Sequence, residues 1–339
     1  MEGFKFYNIE NEPFKIYGVY KAEGEEHFRR IPADVAEATS RGVFGLARHC
    51  AGGRVRFKTD SVKIAVRAKM INVGQMSHAT PLMQYGFDLY QDAQSSKYIG
   101  SFKPVINASR EYESVINVPA GVKELTLNFP LYGCVGSLEI GVTEDASISA
   151  HTPYKYENPI VYYGSSITQG GCTTRPGKSY QSIISRRLDY NYVNLGFSGN
   201  AKAEDVICEY MSKLTMSAFV CDYDHNAPNP EHLQNTHFKL YQTVRAAYPT
   251  IPYIMVSRPD FKYTQDDFER RAIIMESYIK ARRSGDKNVY FVDGSEFFAG
   301  KGFLEMTVDG VHPTDDGFAE MAKSIGALIE KVFPWENMK

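Results

Sequence analysis

Four short runs in the second half of the chain carry side chains suited to acyl chemistry. Gly164-Ser165-Ser166-Ile167-Thr168-Gln169-Gly170-Gly171 sets two hydroxyls among glycines. At a strand-to-helix turn such glycines let a hydroxyl project from a tight backbone while nearby N–H groups point at whatever it attacks. The run is not a G-x-x-x-x-G-K-[ST] phosphate loop, because no lysine follows the second glycine. Gly196-Phe197-Ser198-Gly199-Asn200 is a second glycine-rich turn, and Asp222-Tyr223-Asp224-His225-Asn226 is a polar cluster directly beyond an apolar run. Thr307-Val308-Asp309-Gly310-Val311-His312-Pro313 places a carboxylate and an imidazole on one loop. Alone, the first run reads equally well as a helix-capping turn, the second reads better as a structural turn, and an Asp and His so spaced arise by chance in many chains of this length. Together they hold a hydroxyl, an imidazole, a carboxylate to orient it, glycine N–H groups and a side-chain amide, the parts of an activated serine with an oxyanion hole. A catalytic metal is not indicated. The histidines at 27, 49, 78, 151, 225, 232, 237 and 312 form no H-E-x-x-H, and His232 and His237 are spaced wrongly for one helical face.

The elements that must position these runs follow from hydrophobic periodicity. Beyond residue 159, apolar strands at 160–163, 192–195, 218–221, 253–256 and 289–292 alternate with helical segments at 180–188, 203–214, 233–248, 265–283 and 315–332. Strands separated by helices of that length imply parallel β-α-β units, hence an α/β sheet covered on both faces. In such a sheet the ligand crevice lies outside the carboxyl ends of the strands, where the glycine and serine turns fall. Earlier in the chain the pattern is different. Runs at 55–58, 62–68, 86–90, 114–118, 124–129 and 137–142 alternate polar and apolar residues, the mark of an antiparallel β-sandwich. We read residues 1–150 as that sandwich domain, 151–159 as a polar, proline-bearing linker and 159–339 as the second domain.

Composition narrows the functional classes. The 339 residues carry 38 Lys plus Arg against 40 Asp plus Glu, leaving no basic field to gather nucleic acid. No apolar run approaches the ~18 residues of a membrane helix, so no membrane partner is expected. Five scattered cysteines without a C-x-x-C pair fit reduced thiols in a cytoplasm. The first residues lack a basic region followed by an apolar stretch, so a cytoplasmic location is expected, or a periplasmic or secreted one if a signal peptide has been removed.

In order, Gly164-Ser165-Ser166-Ile167-Thr168, Gly196-Phe197-Ser198-Gly199-Asn200, the block ending in Asn226, and Asp309-Gly310-Val311-His312-Pro313 resemble the four blocks of the SGNH (GDSL-type) hydrolases. Gly86-Phe87-Asp88-Leu89-Tyr90 is similar to the G-x-D-L-Y motif of the β-domain that precedes one branch of that family. Two positions depart from the pattern: Ser165 stands where the family has Asp, and Asp224-His225-Asn226-Ala227 replaces Gly-x-Asn-Asp. The resemblance implies a flavodoxin-like α/β/α hydrolase domain behind a β-sandwich, needing no cofactor. It implies Ser166 as nucleophile, since that residue is third in its block and precedes Ile-Thr, with His312 as base and Asp309 orienting it. The Ser166 and Gly199 N–H groups and the Asn226 side chain would form the oxyanion hole, and His225 would be a packing neighbour. Arg175 and Arg258, also beyond strand ends, would either touch substrate or pin loops through salt bridges. The expected activity is hydrolysis of short-chain, chiefly acetyl, esters on a carbohydrate, so the partner is a small-molecule or oligosaccharide ester. The alternatives are a lysophospholipase or aryl esterase, and a sugar-binding protein with a decayed hydrolase domain.

Overall fold

The computed structural model describes residues 1–72, 76–92, 96–105, 110–259 and 262–333. Asp260, Trp335 and the tail of the expected second domain at 334–339 lie outside the described residues. The amino-terminal strands are β1 (Phe4–Asn8), β2 (Lys15–Tyr17), β3 (Arg54–Thr59), β4 (Lys63–Asn72), β5 (Phe87–Asp92), β6 (Lys97–Phe102), β7 (Glu111–Asn117), β8 (Lys123–Asn128), β9 (Cys134–Thr143) and β10 (Ile148–Ser149). They build two antiparallel sheets, β1-β9-β4-β7 and β10-β3-β8-β5-β6, with β2 added along β3. Alternation sorts the residues: Ile64, Val66 and Ala68 of β4 join Val55, Phe57, Leu89, Leu125, Leu127 and Leu138 in one core, while Lys63, Arg67 and Lys69 face water.

Three short helices, α1 (Ala33–Thr39), α2 (Arg41–Leu46) and α3 (Pro81–Tyr85), interrupt what the sequence reads as continuous sandwich. Each is too short to show a helical period. The apolar residues of the first two are not in the sandwich core at all. Ile31, Ala36, Val43 and Ala47 pack with Leu195, Phe197, Ile207 and Met211 of the carboxy-terminal half. Next to them, buried Arg30 donates to the carbonyls of Asn194 (3.0 Å) and Gly196 (2.6 Å).

The carboxy-terminal half contains β11 (Tyr156–Gly164), α4 (Ser166–Gln169), α5 (Tyr180–Leu188), β12 (Tyr190–Gly196), α6 (Asp205–Ser212), β13 (Ala218–Asp222), α7 (Pro230–Ala247), β14 (Tyr253–Val256), α8 (Gln265–Arg283), β15 (Val289–Val292) and α9 (Asp315–Val332). Its five strands are all parallel, in the order β12-β11-β13-β14-β15. Side chains alternate between two cores: Ile160 and Tyr162 face α5 and α9, while Val161 and Tyr163 face α6, α7 and α8. Burial on both faces accounts for strands that read as unbroken apolar runs.

Two expected boundaries are corrected. The segment read as linker up to residue 159 already contains the start of β11: Tyr156 pairs with Tyr190, their rings stacked 4.6 Å apart, and the register then shifts before Ile160. Pro159 lies in that irregularity, where a strand tolerates a residue without an N–H. Helix α7 begins at Pro230 rather than 233, because Asn229 caps it by accepting the His232 N–H at 2.8 Å and Pro230 takes the first-turn position. No helix among the described residues is long and apolar enough to cross a membrane. All five cysteines are free and buried.

Candidate active site

β12, β11 and β13 are neighbours in the sheet, so the loops that follow them are neighbours too. These loops carry Gly199, Ser166 and Asn226. The serine turn is shaped by what cannot fit there. A Cβ on Gly164 would lie 2.1 Å from Thr168 Oγ1 and 2.3 Å from the Asp222 carbonyl oxygen, and one on Gly196 would lie 2.1 Å from the Gln169 nitrogen. Only bare backbone lets α4 lie across the ends of these strands.

The two adjacent serines do different work. Ser165 is the N-cap of α4, its Oγ accepting the Ile167 N–H at 3.1 Å. Ser166 begins the helix, and its Oγ lies 2.8 Å from His312 Nε2. His312 Nδ1 is 2.8 Å from Asp309 Oδ2, while Asp309 Oδ1 accepts the N–H groups of Val311 (3.1 Å) and His312 (2.8 Å). Partial burial pushes the Asp309 carboxyl up, but the His312 N–H, the imidazole and the Val311 N–H together bring it down to about 2. A carboxylate facing Nδ1 favours the tautomer with its proton there, which leaves the Nε2 lone pair toward the serine hydroxyl. Hydroxyl, imidazole and carboxylate so ordered can activate a nucleophile.

The donor side is held from below. Gln169 Oε1 accepts the Ser198 N–H at 3.0 Å, and among the described residues no protein acceptor takes the next one, that of Gly199, whose φ is +70°. The Ser166 N–H is at the open amino end of α4. Asn226 Oδ1 accepts the Ala201 N–H at 3.2 Å, which leaves its Nδ2 as a donor. The single 3-10 turn that carries Asn226 is anchored by buried Asp224, which accepts the Arg258 N–H at 3.0 Å and pairs with Arg270 at 3.5 Å. Beneath α4, Asp222 accepts hydroxyls from Thr168 (2.9 Å) and Tyr180 (3.0 Å). Complete burial outweighs those bonds and pushes the Asp222 carboxyl up to about 7.

Of the two readings of Arg175 and Arg258, substrate contact or loop-pinning salt bridge, the structure shows the salt bridges. Arg175 Nε lies 3.5 Å from Asp88, its Nη2 lies 3.4 Å from the Tyr90 hydroxyl, and its guanidinium covers the Tyr98 ring at 3.9 Å. The Gly86-to-Tyr90 motif is thus a clamp on the second half of the chain: buried Asp88 also accepts the Gly177 N–H, and Arg186 stacks on Tyr90. Arg258 pairs with Asp266 (3.0 Å) and Asp267 in the first turn of α8.

Three residues near Ser166 escape sequence reasoning. Tyr132 donates to the Ser166 carbonyl at 3.4 Å, the exposed His78 ring lies 5.8 Å from that of His312, and buried Cys172 follows the serine turn with φ of 75°. Burial and the Asp309 charge push the Cys172 thiol up to about 12.

Residues 157–330 match the model of the GDSL-like lipase/acylhydrolase family, and residues 4–148 match that of the GxDLY N-terminus of SGNH-hydrolase-type esterases. A GDSL-like lipase from Bacteroides ovatus is 29% identical, with a TM-score of 0.86 over 97% of this chain and 98% of its own. A salicylyl-acyltransferase of a tetracycline biosynthetic pathway is 17% identical, with a TM-score of 0.81 over 98% of this chain and 99% of its own. A family two carbohydrate esterase from Clostridium thermocellum, solved with cellohexaose, is 17% identical, with a TM-score of 0.61 over 83% of this chain and 92% of its own. No curated protein matches the chain.

Proposed function

The chain belongs to the GDSL-like lipase/acylhydrolase family and is an ester hydrolase, and from that premise we propose that it removes acetyl groups from a carbohydrate with Ser166 as nucleophile. The observation that carries this reading is the unbroken line from Asp309 Oδ2 through His312 to Ser166 Oγ, 2.8 Å at each step. Ser166 Oγ adds to the ester carbonyl as its proton passes to His312 Nε2. The Ser166 and Gly199 N–H groups and Asn226 Nδ2 receive the charge that develops on the carbonyl oxygen. Collapse of the tetrahedral intermediate breaks the C–O bond, and the imidazolium returns the proton to the leaving alkoxide. Water, deprotonated by the same nitrogen, then releases the acyl group and restores Ser166. Asp309, held well below the usual carboxylate range, stays charged throughout and stabilises the imidazolium.

A short acyl group fits the composition of the loops around Ser166, which are rich in Gly, Ser, Thr, Asp and Asn and offer little to bury an alkyl chain. Each CH₂ left in water forgoes about 0.8 kcal/mol of binding. A sugar as the alcohol is supported by the likeness in fold to the carbohydrate esterase solved with cellohexaose. Rates on p-nitrophenyl esters should fall steeply from acetate to octanoate, and acetate should be released from acetylated oligosaccharides. A preference for octanoate would defeat the acetyl reading, and acetyl phenols cleaved while every acetylated glycan is spared would defeat the carbohydrate one.

A further inference from the structure

Around the His312–Asp309 pair stands a group of side chains that ester hydrolysis does not require. The ligand atoms of His78, Cys172, Asp309 and His312 all lie within 4.8 Å of one another. They come from three separate stretches of chain, and the one bearing His78 is tied down on both sides. Gln84 accepts the Met76 N–H and donates to the Ala79 carbonyl, each at 2.9 Å, and Thr80 Oγ1 donates to the Thr174 carbonyl at 2.6 Å. Two imidazoles, a thiol and a carboxylate are a donor set for tetrahedral zinc, in which Zn–S near ~2.3 Å and Zn–N near ~2.0 Å place ligand atoms roughly 3.3–3.7 Å apart. The contraction needed is about an ångström. His78 is exposed at the rim and has room to supply its share by rotating its side chain. Hard cations such as Mg²⁺ prefer an all-oxygen shell and do not suit this set.

We propose that His78, Cys172, Asp309 and His312 bind Zn²⁺ and that the ion switches hydrolysis off, an inference that rests on the roles assigned above to Ser166, His312 and Asp309. The His312 nitrogen facing Asp309 is Nδ1. Coordination at Nδ1 replaces its hydrogen bond to Asp309: the Nδ1 proton leaves and Nε2 gains one, so the ring stays neutral in the opposite tautomer. An Nε2–H donates to Ser166 Oγ and cannot accept its proton. Cys172 gives up its thiol proton to solvent as the Zn–S bond forms. The net change is one proton released and no electron transferred. Turnover itself uses no metal, and zinc represses it by holding the base in the wrong tautomer.

The test uses the whole chain, with Zn²⁺ and Co²⁺ as probes. Micromolar zinc should suppress hydrolysis of a chromogenic acetate, EDTA should restore it, and Mg²⁺ should have no effect. His78→Ala and Cys172→Ser should each require about tenfold more zinc, or beyond, for the same inhibition. Co²⁺ added to Ser166→Ala protein should develop the visible bands of a tetrahedral site and a sulfur-to-cobalt charge-transfer band that is absent when Cys172→Ser is added. That readout needs no turnover, so the two layers fail separately. Missing cobalt bands overturn the zinc site alone, whereas a Ser166→Ala protein that still hydrolyses ester overturns the reading beneath it. If Cys172→Ser does not fold, zinc inhibition of undiminished strength in His78→Ala overturns the proposal by itself.

Discussion

The serine turn and the histidine loop face each other across 2.8 Å, yet they are held in opposite ways. Ser166 is fixed by the core. The Thr168 carbonyl accepts from Gln181 and Asn194 and Asp222 grips Thr168 and Tyr180, all in buried positions, and buried Gln169 ties α4 to the Ser198 N–H. His312 is fixed mainly by its own neighbours: Asp309 takes two backbone N–H groups and the imidazole, Val308 donates to the His312 carbonyl at 2.8 Å, and Gly310 turns the chain with φ of +77°. The proposed nucleophile and oxyanion donors are thus held by the parallel sheet, whereas the proposed base depends on a local turn at the surface. A substitution beneath the serine turn should disturb folding, and one in the histidine loop should disturb chemistry first.

The largest effect expected is on catalysis without loss of fold. Ser166→Ala should lower kcat for a chromogenic acetate by roughly 10⁴-fold or more while leaving the melting temperature unchanged, because the hydroxyl contributes to chemistry and not to the cap. Next in size is Asn226→Ala, which should reduce kcat by roughly 10²- to 10³-fold with little change in KM, as for loss of one oxyanion donor. An unchanged kcat there would remove Asn226 from the donor set.

Asp222 sharpens the comparison on the folding side. Its carboxyl sits at about 7 in the folded protein against an ordinary value of 3.8. The folded state therefore binds this proton more tightly than the unfolded chain does. The associated stability is complete below pH 3.8 and is lost as the pH rises through about 7. Chemical denaturation of Asp222→Asn across that window should show a flatter stability profile than wild type, and a parallel profile would contradict the burial argument. The smallest effect belongs to Ser165→Ala. It should keep most of the activity and lose about 1 kcal/mol of stability, the ordinary worth of an N-cap.

Much of this arrangement is legible before any coordinates. Helices α5, α8 and α9 and strands β14 and β15 fall on the residues that periodicity marks, helped by caps such as Thr264 and Thr314. The meeting of Ser166, His312 and Asp309 is foreshadowed because a strand-end turn and a five-residue loop keep the contributing residues local in sequence. What stays hidden depends on partners far along the chain. Helices α1 and α2 give no period of their own and take their place from the other half's core. In the sequence Arg175 and Arg258 could equally touch substrate or pin loops, and their salt bridges show only when Asp88, Asp266 and Asp267 are found beside them. His78 and Tyr132 reach the site only because the sandwich docks there, and nothing in their local sequence announces it. Position in the block picks Ser166 over Ser165 in the sequence, but that Ser165 serves as the cap of α4 is visible only in the structure.

The central claim, that Ser166 is activated by His312 and Asp309, is tested most directly by covalent trapping. A fluorophosphonate that reacts with activated serines should label the wild-type chain once, with peptide mapping placing the adduct on Ser166, and His312→Ala should be left almost unlabelled. An adduct on Ser165, or labelling that proceeds equally well without His312, would contradict the account.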